Sequence, residues 1–176
     1  MDALYYALLL NDVAGNLSDE AQVQASLRCI RGASIMRKLG MSELAAEAVR
    51  CAEEHWDGGG IPDRLRGEEI PRLARVCAVA RHLDIAASSV GVGRAVDRLA
   101  ERSGTWFDPA LVRTAKSLDK RGELWKDCLW GVELDEMRRV VRDLEPGRRK
   151  YREAAEIDRV CEAFADVVDA KSHFTF

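Results

Sequence analysis

Glu53, Glu54, His55 and Asp57 place three carboxylates and an imidazole directly before Gly58, Gly59 and Gly60, with Pro62 and Asp63 just beyond. Oxygen ligands at this density suit a hard cation such as magnesium, or acid and base work on a hydrolytic water. Consecutive glycines admit positive φ and close backbone approach, which suits a phosphate cradle. Each residue also has a plainer use. The carboxylates can brace a loop by accepting its N–H groups, and the glycines can make the turn that lets Trp56 and Pro62 pack. No lysine follows the glycines as it does in a nucleotide-binding P-loop. Loop bracing is therefore the expectation for Glu53, Glu54 and Asp57. The chain holds three histidines, His55, His82 and His173, too few for a histidine-built centre unless all converge. His55 is expected to be a polar loop residue and His82 an interface residue. There is no nucleophile elbow, and no spacing pairs a cysteine with a histidine for catalysis.

The elements that must hold this loop read as helices. Leu4, Tyr5, Leu8 and Leu9 open a helical pattern at the first residues, and an apolar helix there predicts partners upstream of this chain. Ser18 is placed to cap a helix running to Leu39, with apolar positions at Val23, Leu27, Ile30, Ile35, Met36 and Leu39, and Gly40 ends it. A third helix, capped by Ser42, is expected to reach His55. After the loop, dense apolar spacing from Ile70 to Ala87 predicts a central buried helix through Leu73, Ala74, Val76, Cys77, Ala80 and Leu83. Ser88 to Val92 reads as a small-residue break, followed by a helix carrying Ala95, Val96, Leu99 and Ala100. Asp108 and Pro109 are the preferred cap and first residue of the next helix. Beyond Lys120 come a short helix near Trp125, a charge-rich helix over 132–144, and a break at Pro146-Gly147. Ile157, Val160, Cys161, Phe164, Val167 and Val168 then form an i, i+3, i+4, i+7 stripe. No strand pattern of useful length is present.

At 176 residues, 47% of them hydrophobic and 32% charged, the chain has the composition of a soluble globular domain with an appendage. A net charge of −3 gives no electrostatic case for a nucleic acid polymer or an anionic membrane, and the apolar run at 3–10 is too short to span a bilayer. The five cysteines stand singly, with no CxxC pair, and are expected to be small buried hydrophobes in a reducing cytoplasm.

Residues 52–62, AEEHWDGGGIP, resemble the HHExxDGxGYP motif of HD-GYP domains. So does Gly67-Glu68-Glu69-Ile70-Pro71 with Leu73-Ala74-Arg75-Val76, which is similar to that family's GEEIPLLARI segment. Gly104-Thr105 with Phe107-Asp108-Pro109 and Leu111-Val112 resembles its GTxFDPxLV, and Leu9-Leu10-Asn11-Asp12 its LLHD. The resemblance covers about residues 3–118. It implies an all-α, HD-like helical bundle with the glycine-rich loop across it, plus a C-terminal helical extension. It also implies metal-dependent hydrolysis of cyclic di-GMP, through a binuclear or trinuclear iron or manganese centre. Ala163 to Ser172 resembles the helix that leads into a following HD-GYP domain. The division expected is thus 1–120, a degenerate HD-GYP-like domain without its opening helix; 121–150, a helical linker; and 151–176, the start of a further domain.

Carried over residue by residue, the ligand positions are mostly changed. The histidine of the HD pair is Asn11, leaving Asp12 as a remnant. Arg28, Ala52, Glu53 and Arg81 stand where the resemblance implies further ligands, and Ile61 replaces the tyrosine of GYP beside Gly58, Gly60 and Pro62. A guanidinium is permanently charged and has no lone pair to give a metal. Arg28 and Arg81 are therefore expected to repel a dication and to pair with Asp12 or Glu53. No cofactor is expected. Asp12, Glu54 and Asp57 remain as weak candidates for catalysis. The function expected is that of a non-catalytic regulatory or dimerisation module, partnered by a catalytic HD-GYP domain in cis or in trans, or by a second copy through the C-terminal helix. The alternative is an active phosphodiesterase in which Asp12, Glu53, Glu54 and Asp57 converge on one ion.

Overall fold

The computed structural model describes residues 19–126, 135–136, 138–139 and 154–171, without the side chains at 19–20, 154–156 and 167–171. Six α-helices lie among them: α1 (Asp19–Lys38), α2 (Glu43–Arg50), α3 (Arg72–Val90), α4 (Val92–Glu101), α5 (Pro109–Lys120) and α6 (Ala154–Lys171). A short 3-10 turn, Gly67–Glu69, leads into α3. The described residues include no strand, and the all-α architecture follows.

Capping chemistry sets several boundaries. The Ser42 hydroxyl accepts from Ala45 N at the start of α2, and Asp108 accepts from Ala110 N at 2.7 Å, with Pro109 first in α5. The predicted helix from Ser42 to His55 stops instead at Arg50. Glu53 must extend to pair with Ile61, so the chain leaves the helix before it. The expected break at Ser88–Val92 narrows to Gly91 (φ 83°). Ser89 stays helical, its hydroxyl donating to Ala86 O.

The main core is built by α3, α4 and α5 through Val79, Leu83, Ala87, Val96, Leu99 and Val112, with Phe107 from the loop before α5. A second cluster, Ala48, Cys51, Ile70 and Ala74, joins α2 to α3 beneath the glycine loop. On α1 the buried side chains are Ala25, Cys29 and Ala33, whereas Val23, Leu27 and Ile30 of the predicted stripe are exposed. The cause is close helix packing: a Cβ on Gly32 would lie 2.8 Å from Val49 Cγ1. At that separation small residues make the contact and larger ones are turned outward. The α3 face is corrected in the same way, since Leu73, Val76, Cys77 and Ala80 are exposed. Cys29 and Cys51 are buried as expected, but Cys77 and Cys161 are not.

Helix α6 lies against α1, burying Ala163 and pairing Lys38 with Asp166. Ile157 and Phe164 stay exposed. The expected linker at 121–150 falls mostly outside the described residues. Among the described residues, no helix is long and apolar enough to cross a membrane.

Candidate functional site

The loop from Glu53 to Ile70 follows the end of α2 and leads into α3. Its root is tight. Ile61 N donates to Glu53 O at 3.0 Å, and Gly60 lies against the outgoing chain. A Cβ on Gly60 would fall 2.2 Å from His55 N and 2.5 Å from both Glu53 O and Glu54 Cα. All three are backbone atoms that cannot step aside, so the position takes only glycine for steric reasons. The Ile61–Pro62 bond is cis.

Glu54 is 4% exposed, and its carboxylate faces the loop. Oε1 accepts from Asp63 N at 2.7 Å and Oε2 from Leu65 N at 3.0 Å. Burial pushes its pKa up, and the N–H groups it accepts from act in the opposite direction. Both oxygens are committed to holding the loop. Asp57 Oδ1 accepts from Gly59 N at 2.8 Å, a local turn that fixes the glycine run. Asp63 is held by Arg50 through two hydrogen bonds, 2.9 and 2.7 Å, which lower its pKa.

The loop's far side is clamped to the segment before α5. Trp56 N donates to Trp106 O, and Asp57 N donates to Thr105 O. His55 stacks on Trp106 with ring centroids 4.4 Å apart, while Arg102 covers Trp106 at 3.6 Å. Burial holds the His55 imidazole below its usual pKa, against the opposing pull of Asp57. Arg75 pairs with Asp108 at 2.8 Å and lies 5.6 Å from the Trp56 ring centroid. Beneath this lies a cavity of ≈ 10 Å³ among Cys51, Glu54, Trp56, Arg75 and Asp108, room for about one water and for no nucleotide.

Three of the implied ligand positions meet at the loop's root. Arg81, on α3, sends Nη1 to Glu53 Oε1 at 2.9 Å and Nη2 to Glu53 Oε2 at 3.3 Å. Nη2 also donates to Ala52 O at 3.2 Å. The two side chains are 12% and 18% exposed. Of the two partners expected for the guanidinium, Glu53 lies among the described residues and is met. Arg28 is exposed on α1. Asn11 and Asp12 lie outside the described residues.

Glu53, Glu54 and Asp57 thus turn to three different partners. Among the described residues, no three His, Cys, Asp or Glu side chains are grouped so as to hold a metal ion. A dication at this node would face a guanidinium already bound to the nearest carboxylate, and Ala52 offers no side-chain donor. The described residues at this node, Ala52, Glu53 and Arg81, do not by themselves fit the metal centre that the resemblance implies. The sequence missed Cys29 as a member of this site. It is buried on α1, and burial, followed by the Glu53 charge, pushes its thiol up to about 11. A lone cysteine in a helical pattern carries no signal of such a neighbour.

A helical bundle carrying this loop defines a class, and comparison with known proteins agrees. The HD domain pattern matches residues 7–111, and the chain belongs to the HD domain family. It is 32% identical over 165 residues to the 3'3'-cGAMP-specific phosphodiesterase 3 of Vibrio cholerae, covering 93% of this chain and 35% of that protein. A Vibrio cholerae cyclic di-GMP phosphodiesterase is 34% identical over 94 residues, which is 48% of this chain and 19% of that one. The crystal structure of a Vibrio cholerae cyclic GMP-AMP-specific phosphodiesterase superposes with a TM-score of 0.74 at 28% identity, over 98% of this chain and 44% of its own. The resemblance to HD-GYP domains read from the motifs holds, and the chain spans under half the length of these relatives.

Proposed function

We propose that this chain is a non-catalytic domain of HD-GYP type that regulates, or dimerises with, a catalytic phosphodiesterase domain supplied in cis or in trans in the cytoplasm. The observation that carries the reading is the Arg81 guanidinium bound to Glu53 and to the Ala52 carbonyl, at positions where a hydrolytic centre needs lone-pair donors. Glu54 and Asp57 support it, since both spend their carboxylates on loop N–H groups. An active enzyme built on carboxylate ligands would need Asp12, Glu53, Glu54 and Asp57 turned to one ion.

Elemental analysis of the purified chain, with hydrolysis assays on cyclic di-GMP and 3'3'-cGAMP in iron and in manganese, tests this reading. The expected result is sub-stoichiometric metal and no turnover. A stoichiometric binuclear content with turnover of either dinucleotide overturns it. The exposed Ile157 and Phe164 of α6 are the surface we assign to the partner, a second copy of this chain in the simplest case. Deleting residues 150–176 is then expected to remove dimers in light scattering, and an unchanged mass argues against that surface.

A further inference from the structure

We infer that Arg81 is a built-in cation that latches the root of the glycine loop to α3, giving through a side chain the positive charge that a bound ion would otherwise supply there. This deepens the non-catalytic reading and rests on it for the claim that no metal shares the node.

Glu53 is where three parts of the fold come together. Its carboxylate faces α3 and its carbonyl accepts the Ile61 N–H. Gly60 is pressed against that carbonyl, and Cys29, buried on α1, lies within range of the Glu53 charge. A carboxylate less than a fifth exposed is costly unless a cation and hydrogen bonds compensate it. Arg81 supplies both. Its two Nη atoms meet the two carboxylate oxygens side by side, a pairing that sets direction as well as charge. The further bond to Ala52 O adds a main-chain contact at the turn leaving α2. Lysine would bring the charge without the fork. The root of the loop is therefore latched by Arg81 and is held without a metal.

Thermal unfolding and tryptophan emission of the full chain test the latch, because Trp56 and Trp106 report on the loop. The wild-type Tm is expected to be unmoved by EDTA or by manganese. Arg81→Ala should lower Tm by about 10 °C and shift the emission. Millimolar methylguanidinium should restore much of both, whereas ethylammonium or sodium at equal ionic strength should not. Arg81→Lys should fall between wild type and Arg81→Ala. If Arg81→Ala does not fold, the double variant Arg81→Met with Glu53→Gln carries the test. With both charges removed it should fold better than the single variant. The latch is overturned if EDTA lowers the wild-type Tm, if Arg81→Ala matches wild type, if every cation rescues alike, or if the double variant is as damaged as the single one. Turnover of a cyclic dinucleotide by wild type, with methylguanidinium-specific rescue intact, overturns the non-catalytic reading and leaves the latch. An inactive chain without that rescue overturns the latch alone.

Discussion

The two ends of the described bundle invert the usual placement of charge. Around the glycine loop, charged groups are drawn inward: Glu54 and Asp108 are buried, and Arg81, Glu53 and Arg75 are half-buried in the pairs Arg81–Glu53 and Arg75–Asp108. Along α1 and α6, apolar side chains are exposed, with Val23 at 56%, Ile157 at 53% and Phe164 at 66%, beside the exposed pair Arg37–Glu43. The loop end is expensive to build and largely compensated: each carboxylate meets a guanidinium or backbone N–H groups, while among the described residues Arg75 Nε is buried without a hydrogen-bond partner. The helical face is cheap to build and unfinished, resting on small residues such as Ala163 and Ala33. Polar compensation there would be redundant, and apolar surface is what a partner can cover. The contrast teaches that this chain holds its loop by internal charge pairing and leaves apolar surface exposed on its helices.

Substitutions at the loop end should therefore be severe, and those on the helical face nearly silent in the isolated chain. The strongest test is Gly60→Ala. A methyl group 2.2 to 2.5 Å from three backbone atoms forces the loop root apart, with a loss on the order of 4 kcal/mol read by denaturant unfolding. Next comes Arg75→Met, which strands the Asp108 carboxylate at 8% exposure. We expect a loss of about 3 kcal/mol, most of it recovered when Asp108→Asn is added, as a double-mutant cycle would show. Glu54→Gln keeps one acceptor oxygen and puts an N–H₂ group against backbone N–H donors. The cost should be about 2 kcal/mol, with loss of amide-exchange protection at Asp63 and Leu65.

A smaller effect concerns pH. The folded His55 titrates below the ordinary histidine value because burial disfavours its charged form. The unfolded chain then takes up the proton first. Stability from this group is complete above pH ~6.5 and declines as pH falls towards the folded pKa. His55→Phe, keeping the stack on Trp106, should flatten that part of the pH–stability profile. The smallest effect belongs to Phe164→Ser, expected to change monomer stability by less than about 0.5 kcal/mol while weakening any dimer measured by sedimentation. A large stability loss there would show that α6 is a core element, and the contrast between the two ends would fail.

Much of the fold was legible in the residues. Ser42 and the Asp108-Pro109 pair announce helix starts by capping chemistry, which depends on a few neighbouring atoms. The loop was legible because Gly58, Gly59, Gly60 and Pro62 restrict or release the backbone locally. The buried face of α1 was not. Its periodicity pointed to Val23, Leu27 and Ile30, but the buried residues are Ala25, Cys29 and Ala33, with Gly32 pressed on Val49 of α2, and helix separation is a property of two segments together. The end of α2 was misjudged for a related reason. Helical propensity continues past Arg50, but the Glu53–Ile61 pairing outweighs it.

For the candidate site the division is the same. By itself the sequence determined which groups are available: a guanidinium at 81 and a methyl at 52 rule out donors there whatever the fold, because the chemistry of a side chain is intrinsic to it. It also determined that position 60 has no Cβ. Only the tertiary structure decided where the charges go. Glu53 and Glu54 are adjacent and chemically identical, yet one faces α3 and meets Arg81 while the other turns under the loop to its N–H groups. Neighbours on an extended backbone point to opposite sides, and what waits on each side is set by segments distant in the chain.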